Sequence, residues 1–198
     1  RPLRIASYNV EWMNALFDDQ GRMLADDAPS ARYRISRGEQ LGALGIVFTA
    51  LDADAVMIVE APDQSRHRST VAALEGFARH FGLRARKAIV GFVSETEQEI
   101  AFLYDPDRLS ARHDPMGEPA LSAGAPGAPR FDTGLRADLD QDGIAELVRF
   151  SKPPLELAVE AQGRTQGKTL RLIGVHAKSK APHGQVSASE FTRISIEN

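Results

Sequence analysis

Cysteine is absent from the 198 residues, which excludes disulfides, thiolate metal centres and a cysteine nucleophile. The compartment stays open, because a chain without cysteine folds equally well in oxidising and reducing surroundings. Long apolar runs are missing too: no window reaches the ~18 consecutive apolar residues of a membrane span. Positive charge is not in excess, with 24 Lys plus Arg against 27 Asp plus Glu and a net charge of −3. That balance argues against affinity built on wrapping nucleic acid in a basic field, though it leaves room for a small basic cleft. Tandem repeats of ~20–50 residues are lacking. Aromatic residues make up only 7%, with a single tryptophan, Trp12.

What is present is ordinary globular material, 42% hydrophobic and 26% charged, enough for a sizeable core. At ~150 residues per domain the length reads as one domain. The chain opens straight into a strand pattern with no signal-peptide pattern. The expected compartment is cytoplasmic by default, or periplasmic or secreted where a leader has been removed. Residues 3–10 form an apolar run suited to a strand buried on both faces. Residues 14–34 are polar and read as a long loop. Ser30 is the expected cap of a helix carrying Leu41, Leu44, Val47, Phe48 and Leu51 at helical spacing. A second buried strand covers 55–59 and a second helix 65–81, ended by Gly82. Strand patterns follow at 84–93, 99–104, 144–150, 155–161 and 168–176, the last two joined across a turn at 163–167. Residues 114–130 are rich in Pro, Gly and Ala, a surface excursion. Residues 187–198 carry the start of a helix pattern. Strand–helix units followed by hairpins predict an α/β or α+β layered fold with a mixed sheet.

Three of these strands end abruptly in a polar group: Asn9, Glu60 and His176. Sites in open α/β sheets gather at the carboxyl ends of strands. A carboxylate there can hold a hard divalent cation, and Mg²⁺ takes only one or two protein carboxylates. An amide can orient a water or phosphate oxygen, and an imidazole can donate to a developing oxyanion. Alternation adds Glu11 to the face of Asn9 and Lys178 to that of His176. Taken singly, each is more often a solvated or capping residue; their convergence carries the functional reading.

Arg4-Ile5-Ala6-Ser7-Tyr8-Asn9-Val10-Glu11 resembles the opening strand of the endonuclease/exonuclease/phosphatase superfamily. Asp54-Ala55-Val56-Met57-Ile58-Val59-Glu60 is similar to the family's strand that delivers its metal-binding glutamate. Glu99-Ile100-Ala101-Phe102-Leu103-Tyr104 with Asp105-Pro106 resembles its middle hairpin. Phe150-Ser151-Lys152-Pro153-Pro154-Leu155 resembles the segment that places a basic residue near the scissile phosphate. Leu172-Ile173-Gly174-Val175-His176-Ala177-Lys178-Ser179 resembles the strand of the first catalytic histidine.

The resemblance implies a four-layer α-β-β-α sandwich of two mixed sheets. That fold usually needs roughly 250 or more residues, so the chain is expected to supply its first half to two-thirds, as a single domain over 1–198 truncated at its C-terminus. It implies a Mg²⁺- or Mn²⁺-dependent phosphoesterase acting by in-line attack of activated water. Glu60 would be the principal metal ligand and Asn9 would position the metal or its water. Lys152 would stabilise phosphate charge as a point donor, and His176 would hydrogen-bond the phosphoryl oxygen. Where the deoxyribonuclease branch has a phosphate-contacting tyrosine this chain has Ile100, and Tyr104 is the nearby substitute; Glu11 and Lys178 complete the expected substrate contacts. The family's general base is an Asp–His pair supported by an Asp-x-Asn segment, and residues 177–198 contain no Asp. Expected substrates are phosphoesters, DNA or RNA first, with lipid or inositol phosphates as the alternative. The expected oligomeric state is monomeric by default.

Asp138, Asp140, Asp142 and Glu146 flank Gly143 on the spacing of an oxygen cage for Ca²⁺. This acidic loop and the strand after it (132–150) read as an insertion within the domain. Asp and Gly are turn residues in any case, so a solvated acidic turn is the competing reading. A calcium-stabilised, non-catalytic binding domain on the same fold is the reading from another functional class. The basic clusters Arg66-His67-Arg68 and Arg84-Ala85-Arg86-Lys87 are expected to be solvated faces. Trp12, beside Glu11 at the strand mouth, could stack on a base, but packing over the sheet rim is the expected role.

Overall fold

The computed structural model describes residues 2–30, 34–94, 96–115, 136–138, 142–147, 150, 152–162 and 168–177. Its elements are β1 (Ile5–Asn9), a 3-10 helix (Met13–Leu16), α1 (Arg37–Leu51), β2 (Ala55–Ala61), α2 (Thr70–His80), β3 (Lys87–Val90) and β4 (Glu99–Tyr104). They continue with β5 (Leu109–His113), β6 (Arg136–Ala137), β7 (Glu146–Leu147), β8 (Leu155–Ala161) and β9 (Thr169–Gly174). The architecture is mixed α/β with two principal sheets. The first sheet has the order β1-β2-β4-β3, and the second β5-β8-β9. β6 and β7 pair as a small hairpin. Only β1 and β2 run parallel; every other described pairing is antiparallel, so the first sheet is mixed and the described strands of the second are antiparallel throughout.

β2 is the centre of the molecule because both its faces are apolar. Val56 and Ile58 join Ala101 and Leu103 of β4 under Leu41, Leu44 and Phe48 of α1 and Leu74 and Phe77 of α2. Phe48, Phe77 and Phe81 meet in tilted and edge-to-face pairs at 5.3 and 4.8 Å between ring centres, geometries that aromatic quadrupoles favour. The other face carries Ala55, Met57, Ile100 and Phe102, which pack on Leu109, Leu155, Leu157 and Val159 of the second sheet. Helices, first sheet and second sheet are thus stacked over two cores.

Several local expectations are corrected. β1 is an edge strand in the described sheet, and Ile5 is 38% exposed, so it is not buried on both faces. The cap of α1 is Ser36, not Ser30: the Ser36 side chain accepts from Glu39 N and Glu39 returns a bond to Ser36 N, a reciprocal box that satisfies two orphan donors. Val47 lies outside the core of α1, which is Leu41, Leu44 and Phe48. β5 is a strand the sequence pattern did not announce. The turn at 163–167 and residues 187–198 lie outside the described residues, as does most of 114–130. No helix among the described residues is long and apolar enough to cross a membrane.

The end of the sheet where β2 begins is tied by charge. Asp54, fully buried, accepts from Arg4 N, Arg84 and Arg108, and Arg86 bridges to Asp105 and Asp107. Within the basic cluster at 84–87, Arg84 is held against the buried Asp54, whereas Arg86 and Lys87 stay exposed as a solvated face while pairing with acids.

Candidate functional site

The opposite end of the sheet, where β1 and β2 finish, gathers polar side chains from four separate stretches of chain. Asn9 closes β1 beside Val59, and its Nδ2 donates to Glu60 Oε1 at 3.1 Å. Glu60 sits at a register shift in β2: Val59 pairs with Ile100 and Ala61 with Glu99, leaving Glu60 as the extra residue. Its φ of 64° is left-handed. A bulge of this kind re-aims a side chain that the strand's alternation would otherwise send into a core.

The second sheet brings the other half. Leu155, which opens β8, pairs with Gly174, which closes β9, so Lys152 and His176 emerge at one end of the sheet pair. Lys152 Nζ stands 3.3 Å from His176 Nε2, and the same ring nitrogen is 3.5 Å from Glu60 Oε1. A neutral ring either accepts from Lys152 or donates toward Glu60; it cannot do both through one nitrogen. Burial holds the His176 pKa below the ordinary histidine value, and the Lys152 charge pushes it the same way while Glu60 opposes.

Gly174 is the reason the sheets close here. A Cβ on it would lie 2.6 Å from Met57 Sδ and 2.9 Å from Ile100 Cγ2, so only glycine lets β9 settle onto β2 and β4 at this point.

Two atoms of the cluster lack hydrogen-bond partners among the described residues although both are buried: Glu60 Oε2 and His176 Nδ1. A buried carboxylate oxygen that no donor satisfies carries a desolvation cost, and a hard cation is a group that relieves it. Glu60, with Asn9 beside it, therefore fits a Mg²⁺-type ion, whose shell needs only one or two carboxylates. Among the described residues no three His, Asp or Glu gather as a metal cage.

The remaining expected residues divide. Glu11 lies at the mouth of the cluster, its N–H donating to Asn9 Oδ1 at 2.9 Å. Tyr104 is not brought there: β4 runs antiparallel to β2 and places Tyr104 opposite Ala55, about 17 Å along the strand from the site end at ~3.3 Å per residue. Ile100 is buried against the second sheet. Lys178 and Asp140 lie outside the described residues. Asp138 accepts from Asp142 N and Gly143 N at 3.1 and 2.9 Å, and Asp142 accepts from Ile144 N at 2.8 Å. These carboxylates stabilise the turn between β6 and β7 in the way Asx turns do.

The rim holds residues the sequence reading passed over. Asn14 accepts from Asp63 N and Arg68 Nη1 and donates to Glu97 Oε2, tying three rim loops together. Arg68 also pairs with Asp19 at 2.9 Å, so this basic residue too is used internally. Glu99, 1% exposed, accepts from Ser94 N and Gln64 N. Burial pushes its carboxyl up to about 8, against those two backbone donors. The alternation of Glu97 and Glu99 ahead of an apolar run was the available signal. No family model matches the chain, and no curated protein matches it.

Proposed function

We propose that the protein is a divalent-metal-dependent phosphodiester hydrolase with a nuclease-like site, on the four-layer sandwich of the endonuclease/exonuclease/phosphatase superfamily. The observation that carries this reading is the meeting of Asn9 and His176 at Glu60 Oε1, with Lys152 against His176, while the buried Glu60 Oε2 has no hydrogen-bond partner among the described residues. Bound at Glu60, a Mg²⁺ or Mn²⁺ ion supplies neutralisation of phosphate oxygens and activation of water. Asn9 holds the Glu60 carboxylate in place through its Nδ2 bond and leaves Oε2 for the cation. Lys152, a compact charge with three donors, faces a non-bridging phosphate oxygen. His176, held neutral by burial and by Lys152, donates a hydrogen bond to the phosphoryl oxygen as negative charge grows there.

The test is hydrolysis of bis(4-nitrophenyl) phosphate, single-stranded and supercoiled DNA, sphingomyelin and phosphoinositides with Mg²⁺ or Mn²⁺. Glu60→Ala should lower the metal-dependent rate by at least ~10²-fold, the scale of losing one preorganised electrostatic group. Independently of turnover, Mn²⁺ should broaden the His176 ring resonances in the wild type and not in Glu60→Ala. Unchanged hydrolysis in Glu60→Ala refutes the assignment.

A further inference from the structure

The mouth of this site is built on strained backbone, and one side chain profits from it. Among the described residues the left-handed non-glycine positions are Glu11, Trp12, Asp52, Glu60 and Glu97, at φ 51°, 65°, 40°, 64° and 55°. Asp52 caps α1; the other four lie at the site end of the sheet. Bulky residues adopt this conformation only where surrounding structure holds them to it. Two in succession, at Glu11 and Trp12, turn the chain sharply immediately after Asn9.

The turn lifts out Glu11 and Trp12, and of the two only Trp12 carries a ring. Val10 and Met13 are 2% and 0% exposed, whereas Trp12 between them is 39% exposed. Its frame is rigid: Glu11 N is bonded to Asn9 Oδ1, and Asn14 is bonded to Asp63, Arg68 and Glu97. No aromatic ring of the described residues packs on the indole; the ring pairs all lie elsewhere. A partly exposed indole with no other aromatic ring on it among the described residues thus stands three residues from the amide that holds Glu60.

We propose that Trp12 is a stacking platform for an unpaired nucleobase of the phosphodiester bound at Glu60, so that the substrate is single-stranded nucleic acid or a nucleotide phosphodiester. The proposal rests on the phosphodiesterase reading above and names its substrate class. Every base offers a π-face, and stacking on an aromatic side chain is tolerant of sequence. In a duplex those faces are covered by neighbouring bases. The charge pattern agrees: at a net charge of −3, and with Arg68, Arg84 and Arg86 paired to acids, backbone electrostatics alone supply little affinity, and stacking fills that role. A quaternary ammonium headgroup is held by a cage of several rings. Here Phe92 is buried against His113, Tyr104 is at the far end of β4, and no ring pair among the described residues includes Trp12, an arrangement that suits a flat ring better than a cage-bound headgroup.

Because Trp12 is the sole tryptophan, its fluorescence reports this contact alone. Titration with adenosine 5′-monophosphate and with oligothymidylate should quench it saturably, while ribose 5-phosphate, which lacks the base, should not. By calorimetry, Trp12→Ala should weaken oligothymidylate binding between about fivefold and about 150-fold, and Trp12→Phe should recover most of it. Equal quenching by ribose 5-phosphate, or quenching by phosphocholine in place of the nucleotide, overturns the proposal, as does unchanged binding in Trp12→Ala. If those results come with Glu60-dependent hydrolysis intact, stacking alone is refuted. Hydrolysis indifferent to Glu60→Ala refutes the parent reading instead.

Discussion

Gly174→Ala tests whether the closeness of the two sheets is what assembles the site. The added methyl would lie 2.6 Å from Met57 Sδ, 2.9 Å from Ile100 Cγ2 and 3.2 Å from Met57 Cε, against an ordinary separation of about 3.5–4.0 Å. Met57 can swing, since its thioether chain is flexible. Ile100 cannot, because a β-branched side chain is stiff at χ1 and this one is 4% exposed. The end of β9 must therefore lift by roughly 1 Å, the deficit at the Ile100 methyl. His176 follows two residues later, and its contacts at 3.3 Å to Lys152 and 3.5 Å to Glu60 have no slack to absorb that movement. Misplacement of about 1 Å costs about 10²-fold in rate, while overpacking costs about 1–3 kcal/mol in stability. Gly45→Ala is the control: its Cβ would come within 2.2–2.6 Å of the Phe81 ring between the helices, so it strains the fold away from the site. Hydrolysis rate, thermal melting and the His176 ring resonances should be measured on both variants. The expected outcome is destabilisation in both, with loss of rate and shifted His176 resonances only in Gly174→Ala. A Gly174→Ala protein that melts lower yet keeps its rate within twofold and its His176 resonances in place refutes the reasoning.

Two further outcomes concern buried ionisable groups. Glu99 has its folded-state pKa raised from 4.5 to about 8 by burial, so the fold favours the protonated acid. The stability this gives is complete below about pH 4.5 and is lost as the pH rises to about 8, a loss on the order of 5 kcal/mol at ~1.4 kcal/mol per pKa unit. Glu99→Gln keeps the acceptor and removes the charge, so denaturant titrations from pH 5 to 8.5 should show the wild type losing stability relative to this variant; parallel profiles would contradict the burial argument. His113 has both ring nitrogens buried without hydrogen-bond partners among the described residues, and burial lowers its pKa although Glu156 and Asp114 oppose this. Its depressed folded value means that stability present above the ordinary histidine pKa is lost as the pH falls below it. His113→Leu should remove that acid sensitivity and add about 1–3 kcal/mol at pH 7, the cost of an unsatisfied buried polar group; a lower melting temperature in the variant would count against it.

The legible half of this molecule is the half written in apolar runs that stop. Residues 55–59 are apolar on both parities, and β2 is buried on both faces; β8 occupies residues 155–161 as its pattern indicated. Asn9, Glu60 and His176 stood out because each ends such a run, and the structure brings all three to one end of the sheets. Three features were not legible in the pattern, each for its own reason. β5 alternates Leu109, Ala111 and His113 with Ser110 and Arg112 over only five residues, too short and too polar to separate from loop. The cap of α1 was written in the Ser36-to-Glu39 spacing, but Ser30 and the polar loop ahead of it competed for the same role. Tyr104 was misplaced because alternation says which face a residue takes and nothing about strand direction. Only the antiparallel pairing of β4 with β2 sends Glu99 to the site and Tyr104 away from it.

Strand direction also accounts for the pairing at the heart of the site. Parallel β1 and β2 finish together, so Asn9 and Glu60 arrive side by side without a long connection between them. Left in strict register, however, Glu60 would share the face of Val56 and Ile58 and enter the helix-side core, where an ionised carboxylate is prohibitively costly unless paired. The extra residue between Val59 and Ala61 removes that conflict at the expense of a left-handed Glu60, a strain of about 1–3 kcal/mol. Restoring the register while keeping a carboxylate would turn it toward the helix-side core; replacing it by a β-branched apolar residue would mend the strand and delete the site. The bulge is therefore the one local arrangement in which this strand can be both the centre of the core and the carrier of the carboxylate, which is why its strain sits at Glu60 and not elsewhere along β2.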